Sequence, residues 1–110
     1  MNVLFVCSRN RKRSATAESI FSGLEGVNVL SAGTSVEAET PISADLVEWA
    51  DLILAMETVH RRRIQERFGA LLREKRIAVL GISDEYENGD EELVRRLRQS
   101  VTPYLRSGDL

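Results

Sequence analysis

Asn2-Val3-Leu4-Phe5-Val6-Cys7-Ser8-Arg9-Asn10-Arg11-Lys12-Arg13-Ser14 is the stretch on which the reading of the whole chain turns. Asn2 to Val6 is a short apolar run that ends in polar residues, the pattern of a strand buried on both faces. After Ser14 the apolar residues Ala17, Ile20, Phe21 and Leu24 recur at i, i+3, i+4 and i+7, the spacing of one helix face, and Gly26 offers a stop. A buried strand that runs through one polar turn into a helix is the opening unit of a parallel α/β sheet.

The remaining sequence repeats that alternation. Val27 to Leu30 reads as a second strand, followed by a loop through Ala32, Gly33 and Pro41. Leu46, Trp49 and Ala50 give a short amphipathic helix, and Leu52 to Met56 a third buried strand. A helix carrying Ile64, Phe68, Leu71 and Leu72 comes next, then a fourth strand, Ile77 to Leu80, and a polar loop from Gly81 to Asp90. The last helix carries Leu93, Val94, Leu97 and Val101, with Pro103 expected to end or kink it. Strands alternating with helices predict an α/β fold, a parallel sheet covered on both faces with right-handed crossovers. Ligands in such sheets sit beyond the carboxyl ends of the strands, where Cys7, Met56 and the Gly81 to Asp90 loop all fall.

At 110 residues the chain is expected to form a single domain, residues 1–110, without repeats or linkers. Its 43% hydrophobic and 29% charged residues, with two prolines, exclude disordered and collagen-like classes. No apolar run approaches the roughly 20 residues that span a bilayer, so no membrane partner is expected. The N-terminus meets Arg9 after one short apolar stretch and does not read as a signal peptide, so a cytoplasmic location is expected. A net charge of −2 argues against a protein whose main task is coating nucleic acid. The charge is uneven, however. Arg9, Arg11, Lys12 and Arg13 crowd one segment, Arg61, Arg62 and Arg63 form a second basic knot, and Asp84 to Glu92 holds six acids. The latter two runs read as solvated faces.

The single cysteine, Cys7, can form neither an internal disulfide nor a cysteine-rich zinc site. Packing or reactivity remains. Cys7 and the pair Arg13-Ser14 bracket five residues, a C-x5-R-S loop between strand and helix. Such a turn points successive backbone N–H groups inward and adds the positive end of the helix dipole, making an anion-sized cradle. The same field favours a thiolate. A thiolate facing a phosphate dianion is repelled unless a fixed cation bridges them, and the fork of Arg13 can do so. Ser14 can donate its hydroxyl to the sulfur. The dinucleotide and P-loop glycine motifs are absent, so those nucleotide-binding loops are not supported.

Leu4-Phe5-Val6-Cys7 with Asn10, Arg13, Ser14, Ala17 and Glu18 resembles the phosphate loop of the low-molecular-weight protein tyrosine phosphatases. The likeness continues through Ser31-Ala32-Gly33-Thr34 and Ala50 to Met56, nearest to a short bacterial branch of predicted tyrosine phosphatases. The resemblance implies a flavodoxin-like three-layer fold with strand order 2-1-3-4. It implies a phosphomonoester hydrolase working through a phosphocysteine intermediate. Cys7 is then the nucleophile, Arg13 the phosphoryl ligand and Asn10 the residue that orders the loop. Ser8, Arg9, Arg11, Lys12 and Ser14 complete the phosphate site. The substrate is expected to be a phosphorylated protein or small aryl phosphate, the product inorganic phosphate, with no cofactor, no metal and no nucleic-acid partner. The family's general acid sits in a V-P-D-P-Y segment. Ile82-Ser83-Asp84-Glu85-Tyr86 matches it in Asp84 and in Tyr86, which would flank the leaving group, but lacks both prolines. Asp90 is the competing acid, although beside Glu91 and Glu92 it also suits a helix start.

Further departures from the family are Arg9 for its usual glycine, Lys12 for a second cysteine, and Glu37 near its aromatic wall. His60, Trp49 and Tyr104 read as packing residues, His60 lying four residues before Ile64 on one helix face. Two other readings stay open. One is a non-catalytic phosphate or nucleic-acid binding module. The other is a thiol-dependent arsenate reductase, which in this fold relays electrons through further cysteines that the chain lacks.

Overall fold

The structure, a computed structural model, describes residues 1–86 and 90–107. Residues 87–89 of the expected acidic loop, Glu87 among them, lie outside the described residues. The elements in chain order are β1 (Asn2–Cys7), α1 (Arg13–Phe21), β2 (Asn28–Gly33), α2 (Ala44–Trp49), β3 (Leu52–Ala55), α3 (Thr58–Phe68), a 3-10 turn (Gly69–Leu72), β4 (Arg76–Val79) and α4 (Glu91–Ser107). The four strands are parallel and lie in the order β2-β1-β3-β4, the expected 2-1-3-4 sheet.

Strand β1 is central, and its alternating side chains divide the core. Val3, Phe5 and Cys7 pack with Ala17 and Phe21 of α1 and Leu93, Leu97 and Val101 of α4. Leu4 and Val6 face the other way, onto Val47 of α2 and Ile64 of α3. Burial of both faces explains why β1 and β3 read as continuous apolar runs. Trp49 joins the second layer and Tyr104 the first, as partly buried packing residues. Among the described residues, no helix is long and apolar enough to cross a membrane.

The differences from the expected boundaries have local causes. Helix α1 stops at Phe21 rather than reaching Leu24, because Ser22 is extended and Gly23 follows at φ 93°, leaving Leu24 46% exposed. Strand β2 runs on to Gly33 because it pairs with β1 residue for residue, from Asn2 with Asn28 to Cys7 with Gly33. That ladder overrides the weak strand preference of Ser31 and Gly33. Beyond Phe68 the expected helix tightens into the 3-10 turn. Helix α4 continues through Pro103, which lies on its exposed side, and does not end there.

Gly33 ties this architecture to the loop after β1. A Cβ built on it would stand 2.5 Å from the Ser8 carbonyl oxygen and 2.5 Å from Ala38 Cβ, closer than real contacts allow. The backbone of Ser8 can approach β2 because residue 33 has no side chain. Gly33→Ala should therefore cost about 1–3 kcal/mol of stability through overpacking. It should also weaken binding of phosphate or vanadate, because the displaced atom belongs to the loop. Denaturant melts and anion titrations of the variant check both, and unchanged anion affinity would show that the contact does not set the loop.

Candidate active site

Residues 8–12 span the gap between β1 and α1, and their backbone is held from one side. The carbonyls of Cys7, Ser8 and Arg9 accept hydrogen bonds from the N–H groups of Thr34 (2.9 Å), Ser35 (2.9 Å) and Glu39 (3.1 Å). With the carbonyls fixed toward that segment, the amide edge is left for the opposite side, where the positive end of α1 also lies. Asn10 adopts φ 59°, the left-handed region that Asn tolerates better than most residues, and its N–H reaches Cys7 Sγ at 3.2 Å.

Cys7 is buried, and Ser14 Oγ lies 3.0 Å from its sulfur. Ser14 also donates to Asn10 Oδ1 at 2.7 Å. The expected donation to sulfur is thus one of two uses for a single hydroxyl hydrogen. A Cys7 thiol can donate to Ser14 while Ser14 donates to Asn10. A thiolate instead draws the Ser14 hydrogen to itself.

Arg13 is 3% exposed, and its guanidinium is fixed by groups that follow β3 and β4. Nη1 donates to Glu57 Oε2 at 2.5 Å and to the Ile82 carbonyl at 2.9 Å, and Nε stands 3.8 Å from Asp84 Oδ1. Among the described residues Nη2 has no partner in the chain. Nη1 is committed to the protein, and the edge formed by Nε and Nη2 is the one that can fork onto a phosphoryl group.

Glu57 and His60 carry no role in the sequence reading beyond packing for His60, and the structure draws both to the loop. Glu57 caps α3 immediately after Met56. Its N–H donates to His60 Nδ1 at 3.0 Å, so the ring proton sits on Nε2, which donates to Ser8 Oγ at 2.9 Å. Ser8 keeps its own hydroxyl hydrogen, free to turn into the cavity that it lines. His60 is fully buried, and burial followed by the nearby Arg13 charge lowers its pKa from 6.5 to about 4. The ring is therefore neutral near pH 7. The available signal was the Glu57-x-x-His60 spacing, a glutamate and a histidine one helical turn apart just beyond a strand's carboxyl end.

A cavity of about 480 Å³ opens over the sulfur, lined by Cys7, Ser8, Arg9, Arg11, Lys12, Arg13 and Asp84. Asn10 and Ser14 lie buried behind it as supports. Asp84 reaches the cavity, whereas Asp90 accepts the Glu92 N–H at 2.8 Å and caps α4. Tyr86 is not brought to the cavity. It is half-buried and packs against the core layer beneath α1 and α4. Glu37 is exposed and does not line the cavity.

The depressed His60 pKa has a consequence for stability. Between pH 6.5 and about 4 the unfolded chain binds a proton at His60 that the folded chain refuses. This stabilisation is whole above pH 6.5 and is lost as pH falls toward 4, with a slope of at most about 1.4 kcal/mol per pH unit. His60→Gln should be less stable near pH 7 and should lose this part of the acid slope. Urea melts of both proteins across pH 4 to 7.5 check it, and parallel pH profiles would refute it.

No protein-family model matches the chain. It is 35% identical to the protein-arginine-phosphatase of Bacillus subtilis (strain 168), over 63% of this chain and 64% of that protein, so it spans just under two thirds of that relative's length. The solution structure of a low molecular weight protein tyrosine phosphatase from Bacillus subtilis superimposes with a TM-score of 0.74 at 26% identity, covering 100% of both chains. A YwlE arginine phosphatase, a C7S mutant with a phosphorylated active-site serine, gives a TM-score of 0.65 at 26% identity, covering 96% of this chain and 99% of that one. These likenesses show that the chain shares its fold with low-molecular-weight protein tyrosine phosphatase structures and resembles a protein-arginine-phosphatase over about two thirds of its length.

Proposed function

We propose that the protein is a cysteine-dependent phosphatase that removes phosphoryl groups from proteins in the cytoplasm. The observation that carries this reading is the convergence on one cavity of Cys7, the Nε and Nη2 edge of Arg13 and the Asp84 carboxylate. The phosphorylated active-site serine of the C7S relative supports covalent transfer to the residue at this position. In the first step Cys7 Sγ attacks phosphorus in line, forming the S–P bond as the bond to the leaving group breaks. Arg13 and the loop amides hold the equatorial oxygens, and Asp84 gives its proton to the leaving atom. In the second step the Asp84 carboxylate takes a proton from water, which attacks phosphorus. The S–P bond breaks, and Cys7 thiolate and inorganic phosphate are released.

Phosphotyrosine is the substrate that the family resemblance implies. Phosphoarginine is a second reading, supported by the arginine-phosphatase relative and by the lack, among the described residues, of an aromatic side chain along the cavity. The two leaving groups differ in the atom that receives the Asp84 proton, oxygen in one and nitrogen in the other. Matched peptides carrying each modification separate the readings by kcat/KM.

Cys7→Ser should abolish turnover while phosphate or vanadate still binds, because the amide cradle and Arg13 remain. Activity within tenfold of wild type would remove Cys7 as nucleophile. Arg13→Lys keeps the charge but loses the fork, so kcat should fall steeply.

Asp84→Asn should lower the rate by about 10² to 10⁴ for phenolate or alkoxide leaving groups, and by less for p-nitrophenolate, which departs readily as an anion. The slope of log kcat against leaving-group basicity should therefore steepen. Asp90→Asn should act on stability, through a weakened start of α4. The leaving-group pattern at Asp90 and its absence at Asp84 would reverse the assignment.

A further inference from the structure

We propose that the rim of this cavity selects phosphorylated protein segments whose neighbouring residues are acidic. The inference rests on the phosphatase reading above and names its substrate class.

Among the described residues, Arg9, Arg11, Lys12 and Arg13 line the cavity, against one acid, Asp84. Arg13 is buried and bound to Glu57, and with the loop amides it is enough to meet one phosphoryl dianion. Arg9, Arg11 and Lys12 form no ion pair among the described residues. Three unpaired cations within four consecutive residues repel one another, and in a chain of net charge −2 general basicity does not account for them. The surface continues beyond the cavity. Arg63 and Arg67 of α3, both exposed, lean toward Thr34, whose N–H is bonded to the Cys7 carbonyl.

What is missing matters equally. Among the described residues no aromatic side chain lines the cavity, so neither a nucleobase nor an aryl group finds a stacking partner among them. Recognition must come from charge. Cations at the mouth and again beside Thr34 suit an extended ligand with several carboxylates better than a compact bisphosphate.

The test uses fluorescent peptides of one length bound to the Cys7→Ser protein, so that affinity is read whether or not wild type turns them over. Phosphopeptides flanked by Glu and Asp should bind at least tenfold more tightly than the same phosphopeptides flanked by Gln and Ala. The ratio should shrink in 0.5 M salt and in the Arg9→Ala/Arg11→Ala background. A ratio within twofold, or one that neither salt nor the substitutions alter, would overturn the proposal. So would an oligonucleotide of similar length that displaces the acidic phosphopeptide more effectively than an acidic peptide does. Turnover is measured separately on wild type. Absence of hydrolysis with the binding ratio intact defeats the phosphatase reading and leaves the rim's preference standing; hydrolysis without the ratio does the reverse.

Discussion

Arg13 is 3% exposed and always charged, so burying it without partners would be costly, and the arrangement of its guanidinium constrains the rest of the site. Its Nη1 needs the Glu57 carboxylate, which follows β3, and the Ile82 carbonyl, which follows β4. The first residues of α1, the start of α3 and the chain leaving β4 must therefore meet at one end of the sheet. Parallel strands make that possible, because every strand delivers its carboxyl end to the same edge. Ile82 is itself anchored there, buried and donating its N–H to the Met56 carbonyl at 2.9 Å. Asp84, two residues on, is brought to the cavity by the same anchor.

The sheet was legible because burial on both faces writes a simple signal. Val3 to Val6 and Leu52 to Ala55 are unbroken apolar runs, and each is followed by polar residues at the sheet's edge. Element ends were less legible because tertiary pairing decides them. Nothing local in Ser31-Ala32-Gly33 marks a strand, yet β1 offers it a ladder. Pro103 is a helix breaker by local rule, but α4 is anchored by Leu93, Leu97 and Val101 on the core and runs through it. The burial of those three residues outweighs one lost backbone bond.

At the site, the residues joined by short sequence spacing were readable and those joined through space were not. Cys7, Asn10, Arg13 and Ser14 belong to one turn, so their mutual geometry follows from the turn itself. Glu57 stands 44 residues from Arg13 and His60 52 from Ser8, separations at which only the topology makes contact. The spacing of His60 with Ile64 was read correctly as a buried helix face, since both are fully buried. Its second property was hidden. A buried ring with two nitrogens must satisfy both, and here they join the start of α3 to the hydroxyl of Ser8. Tyr86 shows the converse: two residues after Asp84, it packs partly buried against the apolar layer and is not among the described residues that line the cavity.

The loop must also survive changes of charge on its own sulfur. Ser14 has one hydroxyl hydrogen for two acceptors, Cys7 Sγ at 3.0 Å and Asn10 Oδ1 at 2.7 Å. When the sulfur is a thiolate and takes that hydrogen, Asn10 loses a side-chain donor while holding a left-handed backbone. If its side chain alone maintained the turn, each change at sulfur would loosen the cradle. The backbone removes that dependence. Ser8 and Arg9 remain bound through their carbonyls to Ser35 and Glu39, and Gly33 lets β2 lie close enough for those bonds to form. The cradle is fixed by groups that do not titrate, which leaves the Ser14 hydrogen free to follow the sulfur.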